Sequence, residues 1–234
     1  MPEARATIVL VHGAWHGPWC WERLTPYLQA QSLGVATIEL PSVASSAPVG
    51  LAQDAEHLSR ALKRIPGPVI LCGHSYGGMV ISAADTREAD VRHLVYLCAY
   101  MTEAGESVES SLRSAGERRP GHWIRRLTDG RTQVDAERAA TLFFNDCAPE
   151  VRDWALARLR PHWGQCLAQS VDDPAWRRHA STYVVASADQ ALSPRLQREF
   201  YSARAARVVT LPSGHSPFLS RPAQLAQILA STPQ

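Results

Sequence analysis

One stretch constrains the fold of this chain more than any other. An apolar run of strand length, Val69 to Cys72, enters the turn Gly73-His74-Ser75-Tyr76-Gly77, and the small-residue segment Met79 to Ala84 leaves it. A G-x-S-x-G pattern between a strand and a helix is typical of a nucleophile elbow, in which a strained turn exposes the serine hydroxyl. The alternative is an ordinary buried turn with an idle serine, but three further features of the chain favour a nucleophile.

Segments of strand and helix character alternate along most of the chain. Apolar runs of strand length occur at Thr7–Val11, Val35–Leu40, Val69–Leu71, Val91–Leu97, Ser181–Ala186 and Ala206–Leu211. Segments with a helical period lie between them, as at Leu51–Arg64, where apolar residues recur about every 3.6 positions. This alternation predicts an α/β fold with a mostly parallel sheet and helices on both faces.

The segment from residue 101 to about residue 178 interrupts this alternation. It shows no clear strand pattern, has helical character near Asp135–Phe144 and Pro149–Leu159, and contains four tryptophans. A length of 234 residues suits a single α/β domain. We therefore expect one domain over residues 1–234, with a helical lid at residues 101–178 inserted after the strand that ends near Leu97.

Composition restricts the partners of this chain. The net charge is only +2, and no basic run is long enough to predict binding to nucleic acid or to anionic lipid. No apolar run approaches the roughly 18 residues of a membrane span, and Ile8–Val11 is too short for a signal peptide. Five scattered cysteines without a C-x-x-C pair are typical of reduced thiols. We therefore expect a cytoplasmic protein with a small-molecule partner and no nucleic-acid or membrane contact.

Candidate catalytic residues follow the predicted strands, because ligands of parallel sheets bind beyond the carboxyl ends of the strands. A serine hydroxyl needs a base, and a histidine base needs a carboxylate that holds its tautomer. His215 follows the last strand and is the candidate base, and Asp189 follows the preceding strand as the candidate carboxylate. Glu103 is the alternative carboxylate. The chain order Ser75, Asp189, His215 is the order found in α/β-hydrolases.

Four segments together resemble the α/β-hydrolase superfamily over nearly the whole chain. More narrowly, the chain is similar to the branch that holds plant methyl esterases, hydroxynitrile lyases and small bacterial carboxylesterases. The segments are His12–Trp21, Gly73–Met79, Ser187–Leu192 and Gly214–Pro217, with a further likeness in the lid at Leu142–Asp146.

The resemblance implies a role for individual residues. It implies Ser75 as nucleophile, His215 as base and Asp189 as the acid that orients the base. It implies the backbone N–H groups of Ala14 and Tyr76 as the oxyanion hole. It also implies no metal or organic cofactor, a lid over an apolar pocket and, in many members, a homodimer.

Two departures separate this chain from the hydroxynitrile lyases of that branch. Those enzymes carry a lysine directly after the catalytic histidine, where this chain has Ser216, and a threonine where this chain has Gly13. The lysine would stabilise a cyanide leaving group, so its absence disfavours lyase activity. The expected function is a serine hydrolase that cleaves carboxylic esters through an acyl-enzyme intermediate.

Aromatic residues in and near the lid predict a small, apolar or aromatic substrate. His16, Trp123 and Phe143 are the candidate substrate-binding residues, although packing of the lid against the core explains such residues equally well. Two other functions stay open on the sequence. One keeps the triad but cleaves another bond, as in a C–C hydrolase, thioesterase or tailoring cyclase. The other is a non-catalytic binding protein on a hydrolase scaffold.

Overall fold

The computed structural model describes residues 6–117 and 123–233. Three groups of residues lie outside this description. They are residues 1–5, residues 118–122 inside the expected lid, and residue 234. The expectation that the chain has no signal peptide falls partly on residues 1–5.

The strands of the described residues form two sheets. They are β1 (Thr7–Val11), β2 (Gly34–Ile38), β3 (Val69–His74), β4 (Val91–Leu97), β5 (Ile124–Arg126), β6 (Arg131–Val134), β7 (His162–Trp163), β8 (Ser181–Ala186) and β9 (Arg207–Leu211). The larger sheet has the spatial order β2-β1-β3-β4-β8-β9, and all its neighbouring strands are parallel. Every residue of β3 and β8 is buried, as expected for central strands covered on both faces.

Helices connect these strands. They are α1 (Thr25–Ala30), α2 (Pro41–Ala44), α3 (Leu51–Leu62), α4 (Gly77–Ala83), α5 (Val108–Ser114), α6 (Ala136–Phe143), α7 (Pro149–Leu156), α8 (Pro194–Leu196), α9 (Pro217–Ser220) and α10 (Pro222–Ala230). A π-turn at Gln197–Tyr201 continues α8. Short 3₁₀ turns lie at Pro18–Trp21, Gly164–Leu167, Ala175–Arg177 and Ser202–Arg204.

The helix α3 shows how the sequence determines packing. Its apolar positions, spaced by three or four residues, place Leu51, Ala55, Leu58 and Leu62 on one buried face. Each fully buried leucine contributes about 2 kcal/mol of hydrophobic free energy. At the first turn, the backbone N–H of Gly50 donates to the side chain of Gln53 over 2.7 Å, so the helix begins with a satisfied donor.

The lid segment differs from the sequence-based expectation. Residues 101–178 contain α5, α6 and α7, but also the antiparallel sheet β5-β6-β7, so the expectation of a segment without strands is wrong. These strands are only two to four residues long and partly exposed, which leaves too little apolar alternation to detect. The sequence feature that could have indicated the hairpin between β5 and β6 is the turn Asp129-Gly130. Gly130 has a φ of 91°, and the side chain of Asp129 accepts from the backbone N–H of Arg131.

Indole N–H groups hold the lid against the core. Trp15, in the loop after β1, donates to the carbonyl of Thr132 in β6 over 3.2 Å. Trp163 in β7 donates to the carbonyl of Ser45 over 3.1 Å. These long-range hydrogen bonds give two of the aromatic residues a packing role, since a buried tryptophan N–H needs an acceptor.

Two findings bear on the predicted surroundings of the protein. Among residues 6–117 and 123–233, no helix combines the length and apolar character needed to cross a membrane. All five cysteines are free thiols, and four of them are buried. The cytoplasmic location and the homodimer stay predictions.

Candidate active site

The backbone holds Ser75 in an unusual conformation between β3 and α4. Its φ is 52°, a left-handed value that is strained for any residue with a Cβ. The Ser75 N–H donates to the carbonyl of Leu97 over 3.2 Å, and its carbonyl accepts from Gly78 and Tyr100 over 3.0 and 3.2 Å. These bonds to the neighbouring strand and loop hold the strained turn in place.

Glycines allow this turn to close. A Cβ at Gly73 would lie 2.5 Å from the carbonyl oxygen of Gly77, and one at Gly77 would lie 2.6 Å from the carbonyl oxygen of Val11. The first loop also lies directly against the serine, because a Cβ at Gly13 would be 2.9 Å from the Cβ of Ser75. A threonine at this position, as in the hydroxynitrile lyases, would require the serine turn to shift.

The structure brings the predicted base and acid into contact. His215 follows β9 and is 2% exposed, and its Nδ1 lies 2.7 Å from Oδ2 of Asp189. The other carboxylate oxygen, Oδ1, accepts from the backbone N–H groups of Ala191 and Leu192 over 2.8 and 2.9 Å. A carboxylate accepts only, so Nδ1 carries the proton and Nε2 keeps its lone pair for a base.

The alternative carboxylate is bound elsewhere. Glu103 makes ion pairs with Arg177 at 2.6 Å and with Arg204 at 3.2 Å, and its side chain is 36% exposed. Asp189, by contrast, has a fully buried side chain in contact with His215. The geometry therefore favours Asp189 over Glu103 as the partner of the histidine.

Gln197 completes the surroundings of the acid, and sequence reasoning missed it. Its Nε2 donates to Oδ2 of Asp189 over 2.9 Å and to the carbonyl of Leu192 over 2.7 Å. Its Oε1 accepts from the backbone N–H of Ala186 at the end of β8 over 2.9 Å. A glutamine in a predicted surface helix looks exposed, whereas Gln197 is fully buried at the start of the π-turn.

A cavity of about 240 Å³ opens at the serine and the histidine. Ser75 and His215 both contribute to its lining, as do the predicted oxyanion donors Ala14 and Tyr76. Most of the remaining described lining is apolar or aromatic and includes Trp15, Tyr100, Leu112, Trp123, Leu142 and Phe143. The elbow, the first loop and the lid therefore meet around one apolar chamber.

Of the three predicted substrate-binding residues, the structure places Trp123 and Phe143 on the cavity lining but not His16. The His16 ring is buried and stacks on Trp19, with ring centres 5.5 Å apart. Its Nδ1 lies 2.9 Å from the carbonyl oxygen of Ala14. His16 therefore supports the first loop from inside the protein, and its position follows from long-range packing that the sequence does not display.

Several histidines around this site are buried and uncharged. Burial lowers the pKa of His12 to about 3, that of His16 to about 4 and that of His162 to about 3. The desolvated interior disfavours the imidazolium form, and this effect outweighs the backbone carbonyls near His12 and His16, which raise the pKa. These rings therefore stay neutral in the folded protein at neutral pH.

Acidification is expected to destabilise the protein before its carboxylates titrate. In the unfolded chain the three rings titrate near 6.5, so below that pH the unfolded state binds more protons than the folded state. Their stabilising contribution is present above pH 6.5 and is lost as the pH falls toward 4, by about 2 kcal/mol for each histidine between pH 7 and pH 5. Urea unfolding at both pH values measures the loss. His162→Gln should reduce the pH dependence by the share of one histidine, and an equal free energy of unfolding at pH 7 and pH 5 would contradict this account.

Comparison with known proteins places this chain in a family. A model of the alpha/beta hydrolase family matches residues 8–228. A carbendazim-hydrolysing esterase of Nocardioides sp. (strain SG-4G) is 29% identical, and the match covers 97% of this chain and 99% of that protein. An alpha-hydroxynitrile lyase of Arabidopsis thaliana is 25% identical, with 98% and 97% covered. The crystal structure of a pyrethroid hydrolase from Sphingobium faniae JZ-2 is similar with a TM-score of 0.82, at 25% identity and with 97% and 96% covered.

The chain therefore belongs to the alpha/beta hydrolase family, and it is a hydrolase of the carboxylesterase type. The predicted α/β-hydrolase fold is confirmed. The resemblance to the branch of methylesterases and hydroxynitrile lyases is confirmed as well. The identity of the catalytic residues stays a prediction, as does the chemical class of the ester.

Proposed function

We propose that this protein is a serine esterase that hydrolyses carboxylic esters of small, apolar or aromatic substrates. The observation that supports it most strongly is the arrangement at the cavity. A strained serine and a buried histidine share one chamber, and the histidine contacts a buried carboxylate at 2.7 Å. A histidine in this environment accepts a proton at Nε2 while Asp189 stabilises the imidazolium that forms.

The proposed reaction uses these groups in two steps. His215 removes the proton of Ser75 as the hydroxyl oxygen attacks the ester carbonyl, and the backbone N–H groups of Ala14 and Tyr76 stabilise the tetrahedral oxyanion. His215 then protonates the leaving alcohol, which leaves an acyl group on Ser75. A water molecule, deprotonated by His215, attacks this acyl-enzyme and releases the acid.

The chamber supports an apolar or aromatic group in the substrate. Phe143 lies beside both the base and the lid, because its ring centre is 5.6 Å from that of His215 and 6.1 Å from that of Trp123. Glu117 also lines the chamber, but its carboxylate is paired with Arg195 at 3.0 Å and accepts from Ser193. A flat apolar acyl or alcohol group is the chemistry that such walls complement.

A substrate series tests this proposal. The rates for p-nitrophenyl acetate, hexanoate and benzoate give the kcat/KM for short, long and aromatic acyl groups, and we expect the benzoate to be turned over. Phe143→Leu should lower kcat/KM for the benzoate by about fivefold, since an aromatic contact contributes on the order of 1 kcal/mol beyond its buried area. Phe144→Leu, at a neighbouring buried ring, serves as the matched control. Equal effects of the two variants would remove Phe143 from the substrate site.

Gln197 is expected to act as a positioning residue through Asp189. Gln197→Leu removes a donor to the carboxylate oxygen that binds His215, so kcat should fall about 10-fold or more while KM stays within about twofold. The fall should be smaller at acidic than at neutral pH, because a less firmly held carboxylate stabilises the imidazolium less well and the histidine base then stays neutral to lower pH. Gln197→Glu, which places a second carboxylate against Asp189, gives the matched comparison. A loss of stability with an unchanged pH–rate profile would make Gln197 a packing residue only.

A further inference from the structure

A second cluster of chemically active side chains lies outside the catalytic chamber. It consists of Asp54 on α3, His162 in β7 and Cys166 in the 3₁₀ turn that follows β7. One potential ligand atom of each residue lies within 4.8 Å of the other two, and all three residues are buried. None of the three lines the cavity at Ser75 and His215. The cluster joins the core, which contributes Asp54, to the lid, which contributes His162 and Cys166.

His162 is the unexplained member of this cluster. Both of its ring nitrogens are buried and have no hydrogen-bond partner within the described structure. The ring packs between aromatic side chains, with its centre 5.1 Å from Tyr76 and 5.8 Å from Trp15. A neutral imidazole always offers one donor and one acceptor, and leaving such a group unpaired in the interior costs about 1–3 kcal/mol. An unpaired, fully buried imidazole beside a thiol and a carboxylate points to a missing ligand.

The donor set and its spacing fit a particular class of ligand. An imidazole nitrogen, a thiolate sulfur and a carboxylate oxygen together are typical of Zn²⁺ and similar borderline divalent ions. Bonds of about 2.0–2.3 Å in tetrahedral geometry separate neighbouring ligand atoms by about 3.3–3.8 Å. The ligand atoms of the cluster, which lie within 4.8 Å of one another, are therefore near enough for a shared ion after a local adjustment of the side chains. His162 and Cys166 are four residues apart, a local spacing common in zinc sites, and Asp54 adds a third ligand from a distant helix.

A rival cluster is less suited to a metal ion. His74, Cys98 and His215 also lie within 4.8 Å of one another. The His74 Nε2 and the Cys98 thiol already contact the carbonyl oxygen of His215, at 2.9 and 3.4 Å. Nδ1 of His215 is bound to Asp189. Nδ1 of His74 has no partner, but a metal ion here would also need His215, the proposed catalytic base, as a ligand. In the proposed site Asp54 and Cys166 have hydrogen-bond partners too, and both nitrogens of His162 are open.

We propose that Asp54, His162 and Cys166 form a binding site for Zn²⁺ or a similar divalent ion that fastens the lid to the core. On binding, the Cys166 thiol becomes a thiolate bonded to the metal, and its proton is released to solvent. The Tyr76 hydroxyl donates to Oδ2 of Asp54 over 2.8 Å, so the site lies directly beneath a residue whose backbone borders the serine. Occupancy therefore stabilises the floor of the catalytic chamber as well as the lid.

Cobalt binding to the full-length, metal-free protein tests this site. Co²⁺ replaces Zn²⁺ in such sites and gives a thiolate-to-metal absorption band when cysteine binds it. We expect one equivalent of Co²⁺ to produce this band, Zn²⁺ to displace it, and Zn²⁺ to raise the melting temperature. Cys166→Ser should abolish the band, and His162→Gln should weaken Co²⁺ binding at least tenfold. Cys147→Ser, at a free cysteine outside both clusters, is the matched control and should keep the band.

Three other outcomes of these experiments would contradict the proposed metal site. Failure of the wild-type protein to bind Co²⁺ or Zn²⁺ would overturn the proposal. So would a band that survives in Cys166→Ser and His162→Gln, or one that is lost only in Cys98→Ser, since the latter places the metal in the rival cluster. Circular dichroism of each variant in the presence of a chelator shows that it is folded. Should Cys166→Ser fail to fold, His162→Gln with Zn²⁺ competition gives the same decision.

Discussion

Ser75→Ala is expected to abolish ester hydrolysis, with a fall in kcat of about 10⁶-fold, the size found when a triad serine is removed. The substitution deletes one hydroxyl at the mouth of the cavity, so no acyl-enzyme can form. The backbone bonds of Ser75 to Leu97, Gly78 and Tyr100 do not use the side chain, and the fold should therefore persist. The measurement is kcat for p-nitrophenyl esters, together with the melting temperature of the variant.

A matched control separates this effect from general damage. Ser170 is an exposed serine away from the cavity, and Ser170→Ala should keep the wild-type rate and melting temperature. Ser75→Ala with more than about a hundredth of the wild-type rate, at an unchanged melting temperature, would exclude Ser75 as the nucleophile. That outcome would favour a reaction mechanism without an acyl-serine intermediate.

Asp189→Asn is expected to lower kcat by about 10⁴-fold, because it forces the wrong histidine tautomer. The backbone N–H groups of Ala191 and Leu192 donate to Oδ1, so the asparagine oxygen should occupy that side. Its amide NH₂ then faces His215 and Gln197 and can only donate. Nδ1 of His215 must become an acceptor, which puts the ring proton on Nε2 and removes the base from Ser75.

Glu103→Gln is the matched comparison for this prediction. It removes the charge of a carboxylate that pairs with Arg177 and Arg204 at the partly exposed surface, so kcat should change less than about threefold. The kcat of both variants is measured by steady-state kinetics on the same ester. A severe loss in Glu103→Gln with a mild one in Asp189→Asn would reverse the assignment of the acid.

The central sheet was predictable from the sequence because its strands are continuous apolar runs. The strands Thr7–Val11, Val91–Leu97 and Ser181–Ala186 agree in both bounds with the expected segments. Burial on both faces requires such runs, and the helices between them impose parallel pairing. The positions of Ser75, Asp189 and His215 after strand ends follow from the same logic, since the carboxyl ends of parallel strands share one edge of the sheet.

The lid and the support of the site were not predictable in the same way. The strands β5, β6 and β7 are too short to show a period, and their pairing depends on a hairpin and on a partner about thirty residues away. Gln197 is buried against Asp189, and the His16 ring is buried against Trp19 and other aromatic rings. The cluster of Asp54, His162 and Cys166 joins positions more than a hundred residues apart. Such contacts are fixed by tertiary packing and leave no mark on local sequence patterns.

Covalent labelling of the folded wild-type protein tests the central claim most directly. A fluorophosphonate reacts with an activated serine, and peptide mass spectrometry locates the modified residue. The proposed mechanism predicts stoichiometric labelling of Ser75 with parallel loss of ester turnover, and no labelling in Ser75→Ala. Labelling at another serine, or undiminished ester turnover after Ser75 is fully modified, would contradict the assignment of this protein as a serine esterase that acts through Ser75.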